Sequence, residues 1–304
     1  MARLSAEVDA LVAPGWDEEA LLSCIGEAEG VILTGMSAFG RRLFEAAPRL
    51  RVVARHGAGY DNVDLDAARD HRVVVTNTPD ATTASVAEHT LALLLAVARR
   101  VALGDRGMRA GDWEVRKCCT GLDLGGRTLG VIGYGRIGRR VAALCHHGLG
   151  MEVVYHDVRP CPADPQLPAR FLGLDELLAC ADAITLHVPL GPSTRHLIGR
   201  RELALVKPTA ILVNASRGPV VDEAALLEAL QAGRLGGAGL DVFEEEPVRR
   251  VHPLCAFDNV VLTPHIASQT PETRRRMAME AVENVLAVLA GQRPKSPVPG
   301  FEGG

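Results

Sequence analysis

Three glycines and an acid mark the first chemistry in this 304-residue chain. Gly133, Gly135 and Gly138 spell G-x-G-x-x-G between the apolar run Leu129 to Ile132 and a helical pattern. The next apolar run, Val153 to Tyr155, ends at Asp157. Strand, glycine turn, helix, strand and acid in that order predict a dinucleotide site. Gly133 permits the tight turn, Gly135 lets the backbone approach a pyrophosphate, and Gly138 lets the helix lie close to the strand. The helix start aims unpaired N–H groups and a positive dipole end at the phosphates. Asp157 is placed to accept hydrogen bonds from an adenosine ribose and to repel a 2′-phosphate, which predicts NAD rather than NADP.

Three further residues, Arg217, Glu246 and His265, each follow an expected strand. Ligands of open α/β sheets sit beyond the carboxyl ends of the strands. One at a time these residues say little. An arginine is usually a surface charge, Glu246 shares an acidic triplet with Glu244 and Glu245, and a single histidine is usually structural. Their ordered recurrence after successive strands makes them candidates for chemistry. His89 and His187 are read as structural or supporting.

The elements that must position these residues alternate along the chain. Expected strands are Ala10 to Ala13, Gly30 to Leu33, Arg51 to Ala54, Val73 to Thr76, Ala183 to His187, Ala210 to Val213, Gly237 to Leu240 and Val260 to Leu262. Expected helices include one capped by Asp17, then Gly40 to Ala47, a long apolar helix from Ser85, Asp222 to Ala232, and Pro271 to Leu289. Repeated β-α-β alternation predicts parallel sheets. Residues 1–98 and 271–304 are assigned to a smaller domain, and 99–270 to a nucleotide-binding domain. Within the latter, 99–124, with Gly104, Gly107, Gly111 and Trp113, reads as an arm. The four prolines between Arg159 and Pro168 mark a loop expected beside the adenine.

Composition excludes other classes. The apolar share is 47%, aromatics 4% and the net charge -4, which carries no sign of a nucleic-acid surface. The longest apolar run, Leu91 to Ala98, is far short of the roughly 20 residues that span a bilayer. The start, M-A-R-L-S-A-E-V-D-A, has acids where a signal peptide carries its apolar segment. Seven cysteines, odd in number and without C-x-x-C, read as reduced thiols, so a cytoplasmic protein is expected. No metal site is expected, because adjacent His146 and His147 would point apart on a helix.

N-A-S-R-G-P-V-V-D-E-A-A-L, G-A-G-L-D-V-F-E-E-E-P and T-P-H-I-A-S closely resemble signatures of the D-isomer-specific 2-hydroxyacid dehydrogenases. G-A-G-Y-D-N-V-D, S-V-A-E-H and H-V-P-L extend the resemblance over nearly the whole chain. It implies a Rossmann NAD-binding domain beside a smaller flavodoxin-like domain, α/β throughout, and NAD(H)-dependent interconversion of a small 2-hydroxy acid and its 2-keto acid. Arg217 would grip the substrate carboxylate and 2-oxygen with its planar fork of donors. His265 would be the acid/base, since imidazole titrates near the working pH. Glu246 would orient His265 and favour its protonated form. Asp241, Ala215 and Val188 would line the nicotinamide and its ribose, with Pro189, Ser216 and Ser268 also at the cofactor. Arg136 and Ile137 would form the phosphate-side turn. Backbone N–H groups at Ala58 and Gly59 would hold the substrate carboxylate, with Arg55 at hand.

The family normally opens with one more strand and helix, so the smaller domain is expected to be trimmed or the start misassigned. Thr34 stands where 3-phosphoglycerate dehydrogenases carry a phosphate-binding arginine, which weakens a phosphorylated substrate. No regulatory domain is expected after Gly304. Hydroxypyruvate or glyoxylate reduction is therefore the first expectation, 3-phosphoglycerate oxidation the second, and a non-catalytic NAD(H)-sensing partner protein the third. Formate dehydrogenases carry glutamine at the position of Glu246 and are disfavoured. The apolar helix and the arm around Trp113 suggest a homodimer.

Overall fold

A computed structural model describes residues 8–15, 17–35 and 37–302. The chain divides into two compact units, one running to Thr82 and resuming at Gln269, the other spanning Thr83–Ser268.

The first unit holds a three-stranded parallel sheet, β1 (Gly30–Leu33), β2 (Val52–Arg55) and β3 (Val74–Thr76), in that spatial order. Helix α1 (Glu18–Leu22) precedes β1, and helices α2 (Arg41–Ala46) and α3 (Leu65–Asp70) connect the strands. Asp17 caps α1, accepting from Ala20 N–H at 2.8 Å, and Asp64 caps α3 in the same way through Ala67. Phe39, Leu43 and Phe44 pack with Val53, Val75 and Ala67 on one side of the sheet. The last helix of the chain, Pro271–Leu289, covers the other side with Ala281, Val285 and Val288 against Val52 and Ala54. The strand expected over Ala10 to Ala13 does not form. Leu11 and Val12 are 75% and 72% exposed, so this apolar stretch buries no face against a neighbour, and Pro14-Gly15 ends it.

The second unit opens on α4, which begins at Pro79 in the first unit and ends at Ala98. The helix starts earlier than the expected Ser85, because proline at a first helical position sacrifices no hydrogen bond. By length and composition α4 could cross a membrane, yet more than half of it is buried within the fold. Its Ala87, Leu93, Leu94, Val97 and Ala98 belong to the core of the second sheet. This packing moves the division of the chain to Thr82/Thr83, where the sequence reading had put it after Ala98. Next, α5 (Val101–Arg109) and the 3-10 turn Trp113–Cys118 fold back on each other, and a Cβ at Gly107 would stand 2.5 Å from Val115. Val101, Met108 and Trp113 in this segment are all more than half exposed.

The seven-stranded sheet is parallel throughout. Its strands are β4 (Thr128–Ile132), β5 (Glu152–His156), β6 (Ala169–Phe171), β7 (Ala183–Leu186), β8 (Ile211–Asn214), β9 (Gly237–Leu240) and β10 (Val260–Leu262). Their spatial order is β10-β9-β8-β7-β4-β5-β6. The chain winds outward from β4 to β6, returns to β7 and winds the other way, so strand order reverses between β4 and β7. That is the switch point where open α/β sheets bind ligands. Strands β7, β8 and β9 are buried at every position, as expected of strands covered on both faces. Helices α6 (Arg136–Leu149), α7 (Leu174–Cys180), α8 (Arg200–Leu203) and α9 (Glu223–Gln231) follow their strands, and Pro271–Leu289 is α10. His146 and His147 do not point apart. Their rings meet edge to face at 4.9 Å, and His146 Nδ1 reaches the carbonyl of Met151. All seven cysteines are free thiols.

Candidate functional site

The glycine turn does what its spacing requires. Gly133 has φ of +90°, and a Cβ there would lie 2.7 Å from the His187 carbonyl group, so β4 and β7 can part only around a bare backbone. A Cβ at Gly138 would sit 2.1 Å from the Gly133 oxygen. Around Gly135, the N-cap of α6, no atom of the described residues comes within 4 Å of where a Cβ would stand. That open cradle at a helix N-terminus fits a pyrophosphate. Arg136 is exposed at the first turn of α6 and Ile137 is half-buried beside it. Asp157 follows β5 and closes the turn, its carboxylate accepting from Tyr134 N–H and Val158 N–H at 2.7 Å each. Each oxygen keeps a second lone pair for a ribose hydroxyl.

Next along the strand ends comes the segment after β7, with Val188 half-buried and Pro189 exposed. After β8 the buried Asn214 side chain organises N-A-S-R. Its Oδ1 accepts from Ser216 N–H and Oγ–H at 3.0 and 2.8 Å, and its Nδ2 donates to the Arg217 carbonyl at 2.8 Å. Ala215, Ser216 and Arg217 thereby form a turn beyond the carboxyl end of β8, each half-buried. Arg217 Nη1 donates to its neighbour's carbonyl at Ser216. The next residue, Gly218, admits no side chain, since a Cβ would lie 1.9 Å from the Phe243 carbonyl carbon and oxygen. The Arg217 turn is thus packed backbone to backbone on the loop after β9.

That loop carries Glu246. One carboxylate oxygen accepts from Phe243 N–H at 2.9 Å, and the other faces His265 Nδ1 at 2.7 Å. A carboxylate only accepts, so Nδ1 carries hydrogen and Nε2 is left to exchange a proton with a ligand. Glu246 is 15% exposed and His265 32%, so the outer edge of the imidazole reaches solvent. His265 lies in the left-handed region, at φ of +53°. Its backbone N–H donates to Asp241 O at 2.8 Å, and Asp241 Oδ1 and Oδ2 accept from the N–H groups of Ile266 and Ala267. Thr263 donates to the same carboxylate at 2.6 Å, and His89 lies 3.3 Å from it. Burial pushes the Asp241 carboxyl up, but the hydrogen bonds from His89, Thr263, Ile266 and Ala267 outweigh it and hold the group below the usual carboxylate range. Asp241 therefore clamps both flanks of His265. Ser268 is half-buried just beyond.

Arg217, Glu246 and His265 thus follow β8, β9 and β10, which are neighbours in one sheet, and the glycine turn and Val188 follow the adjoining β4 and β7. The sequence reading missed Asn214, Gly218 and the grip of Asp241 on the His265 loop. Asn214 was visible as the start of N-A-S-R; the other two act through contacts far along the chain.

In the first unit, Arg55 is 5% exposed and donates to the carbonyls of Leu33 and Gly59 at 3.0 Å each. It braces the turn that contains Ala58 and Gly59. Asn77 donates to Ala58 O and Gly57 N–H donates to Thr78 Oγ1, fixing that turn from its other side.

Residues 91–267 match the family described as D-isomer specific 2-hydroxyacid dehydrogenase, NAD binding domain. A glyoxylate reductase of Aeropyrum pernix is 45% identical over 292 residues, covering 92% of this chain and 87% of the relative. A D-3-phosphoglycerate dehydrogenase of Methanocaldococcus jannaschii is 42% identical over 92% of this chain but only 53% of its own length. The crystal structure of a glyoxylate reductase from Paecilomyes thermophila superposes with a TM-score of 0.90 at 33% identity, covering 98% of this chain and 93% of that one. The chain belongs to the D-isomer-specific 2-hydroxyacid dehydrogenases, oxidoreductases that act on CH–OH groups with a nicotinamide dinucleotide.

Proposed function

We propose that the protein is an NAD(H)-dependent reductase of a small 2-keto acid, hydroxypyruvate or glyoxylate, with Arg217, Glu246 and His265 as its working residues. The observation that carries this reading is the His265–Glu246 pair at 2.7 Å, set on the strand ends beside the Arg217 turn. A nicotinamide dinucleotide, when bound, would supply the hydride for C2 of the keto acid. Arg217 holds the carboxylate and polarises the 2-oxygen. His265 delivers a proton from Nε2 to that oxygen, and Glu246 holds the ring in register and offsets the positive charge. Backbone N–H groups at the start of α6 hold the pyrophosphate, and Val188, Pro189, Ala215, Ser216, Asp241 and Ser268 flank the nicotinamide half. Asp157 supports NAD over NADP through its placement at the end of β5.

Similarity to glyoxylate reductases along most of both chains supports the small substrate. We place the enzyme in the cytoplasm as a homodimer that uses the exposed arm of Val101, Met108 and Trp113. A monomer in light scattering at micromolar concentration would contradict the dimer. Substrate choice is tested by following NADH oxidation with hydroxypyruvate, glyoxylate, 3-phosphohydroxypyruvate and pyruvate. The highest kcat/KM should fall on one of the first two. Preference for the phosphorylated acid would make the protein a 3-phosphoglycerate dehydrogenase, and no oxidation with any of them would point to an NAD(H)-sensing role.

A further inference from the structure

The loop that carries Glu246 is anchored from outside itself. Glu223 is the first residue of α9, and Asp222 already caps that helix by accepting from Ala225 N–H at 3.0 Å. The Glu223 side chain turns away from the helix to serve two other partners. Its Oε1 accepts from Glu244 N–H at 2.7 Å, and its Oε2 lies 3.1 Å from His252 Nε2. His252 Nδ1 accepts from Leu254 N–H at 3.3 Å, which leaves the ring hydrogen on Nε2 to donate to Glu223. Both side chains are mostly buried, at 18% and 17% exposure, and the His252 ring packs against Phe243 at 5.2 Å.

Glu244 stands between Phe243, whose N–H holds one oxygen of Glu246, and Glu246 itself, whose other oxygen holds His265. From the opposite side His196 Nε2 meets the Glu244 carboxylate at 2.6 Å, while His196 N–H donates to Pro219 O beside the Arg217 turn. The loop has exposed residues at Glu244 and Glu245, and an unanchored exposed loop explores many conformations. A carboxylate aimed at an imidazole needs a backbone fixed to a fraction of an ångström. We propose that Glu223 is a positioning residue for proton transfer: by gripping Glu244 N–H it fixes the loop that points Glu246 at His265, and His252 holds Glu223 in place. This inference rests on His265 and Glu246 being the acid/base pair.

The test compares Glu223→Ala with Glu223→Gln, which keeps an acceptor oxygen for Glu244 N–H. Both are run beside wild type and His265→Ala, with NADH and the best keto acid. Glu223→Ala should lower kcat about tenfold, a part of the roughly 10²–10⁴ that acid/base catalysis supplies. NADH affinity, read from fluorescence titration, should stay unchanged. The solvent deuterium isotope effect on kcat should rise, because proton delivery becomes limiting. Glu223→Gln should recover part of the rate, since it keeps the acceptor for Glu244 N–H but turns an amide donor towards His252 Nε2–H. Should Glu223→Ala fail to fold, Glu223→Asp takes its place, keeping the charge but falling a methylene short of Glu244. Wild-type kcat in the Ala variant, a loss that Gln does not restore, or an unmoved isotope effect would overturn the proposal while leaving the acid/base reading intact. Unimpaired turnover of His265→Ala would overturn both.

Discussion

Acidification should expose the cost of one half-buried imidazole whose Nε2 is shut off from solvent. His187 follows β7, its carbonyl beside Gly133, and its Nε2 is buried without a hydrogen-bond partner among the described residues. Burial pushes its pKa from the ordinary 6.5 down to about 3, since no acceptor compensates the desolvated charge. The folded chain therefore refuses a proton that the unfolded chain takes up below pH 6.5. Stability is lost as pH falls from that value towards 3 and is intact above it. Each unit is worth about 1.36 kcal/mol, so lowering pH from 7.5 to 5.0 costs about 2 kcal/mol through this one group. His187→Leu removes the titration and an unsatisfied polar atom together. Urea unfolding of both proteins at the two pH values isolates the effect, because every other titrating group cancels. The variant should lose about 2 kcal/mol less than wild type on acidification. Equal losses would show that the imidazole is protonated in the fold or reaches water, and would refute the reasoning.

Other perturbations address the site directly. Gly218→Ala forces a Cβ to within 1.9 Å of the Phe243 carbonyl, so the Arg217 turn and the Glu246 loop must separate. Overpacking of that kind costs about 1–3 kcal/mol, and kcat/KM should fall more steeply than Tm, read by coupled assay and thermal melt. Asp157→Ala removes the acceptor for ribose hydroxyls and the charge that repels a 2′-phosphate. The ratio of kcat/KM for NADH over NADPH should fall, and an unchanged ratio would refute the role. Leu94→Ala, at a fully buried position in the α4 core, should cost about 2–5 kcal/mol in urea unfolding without altering substrate preference.

Features that depend on neighbours in sequence were legible in advance. The strand, glycine turn and acid of residues 129–157 need only local spacing, and the Asp17 cap needs only a residue of the right type before a helix. Arg217, Glu246 and His265 were legible through their order after successive strands, a signal that survives without any contact information. Features that depend on distant partners were not. The His89–Asp241–Thr263 contacts and the Glu223–His252 pair join residues far apart in the chain, and nothing in a single strand of text reports which side chains meet. Arg55 shows the same limit. Besides the nearby carbonyl of Gly59, its side chain donates to that of Leu33 on β1, a contact that spacing alone does not report. Ala10 to Ala13 misled for a complementary reason, because apolar residues make a strand only where there is an edge to pair with and a face to bury. The three-residue β6 went unread, since A-R-F carries too short a pattern to distinguish strand from loop.

The central claim is that an imidazole held by a carboxylate after β10 supplies the proton for keto-acid reduction. Steady-state NADH oxidation by wild type and His265→Ala, with hydroxypyruvate and glyoxylate at saturation, tests it directly. A fall in kcat of roughly 10²–10⁴ with NADH binding preserved is the predicted result; wild-type turnover in the variant would contradict it.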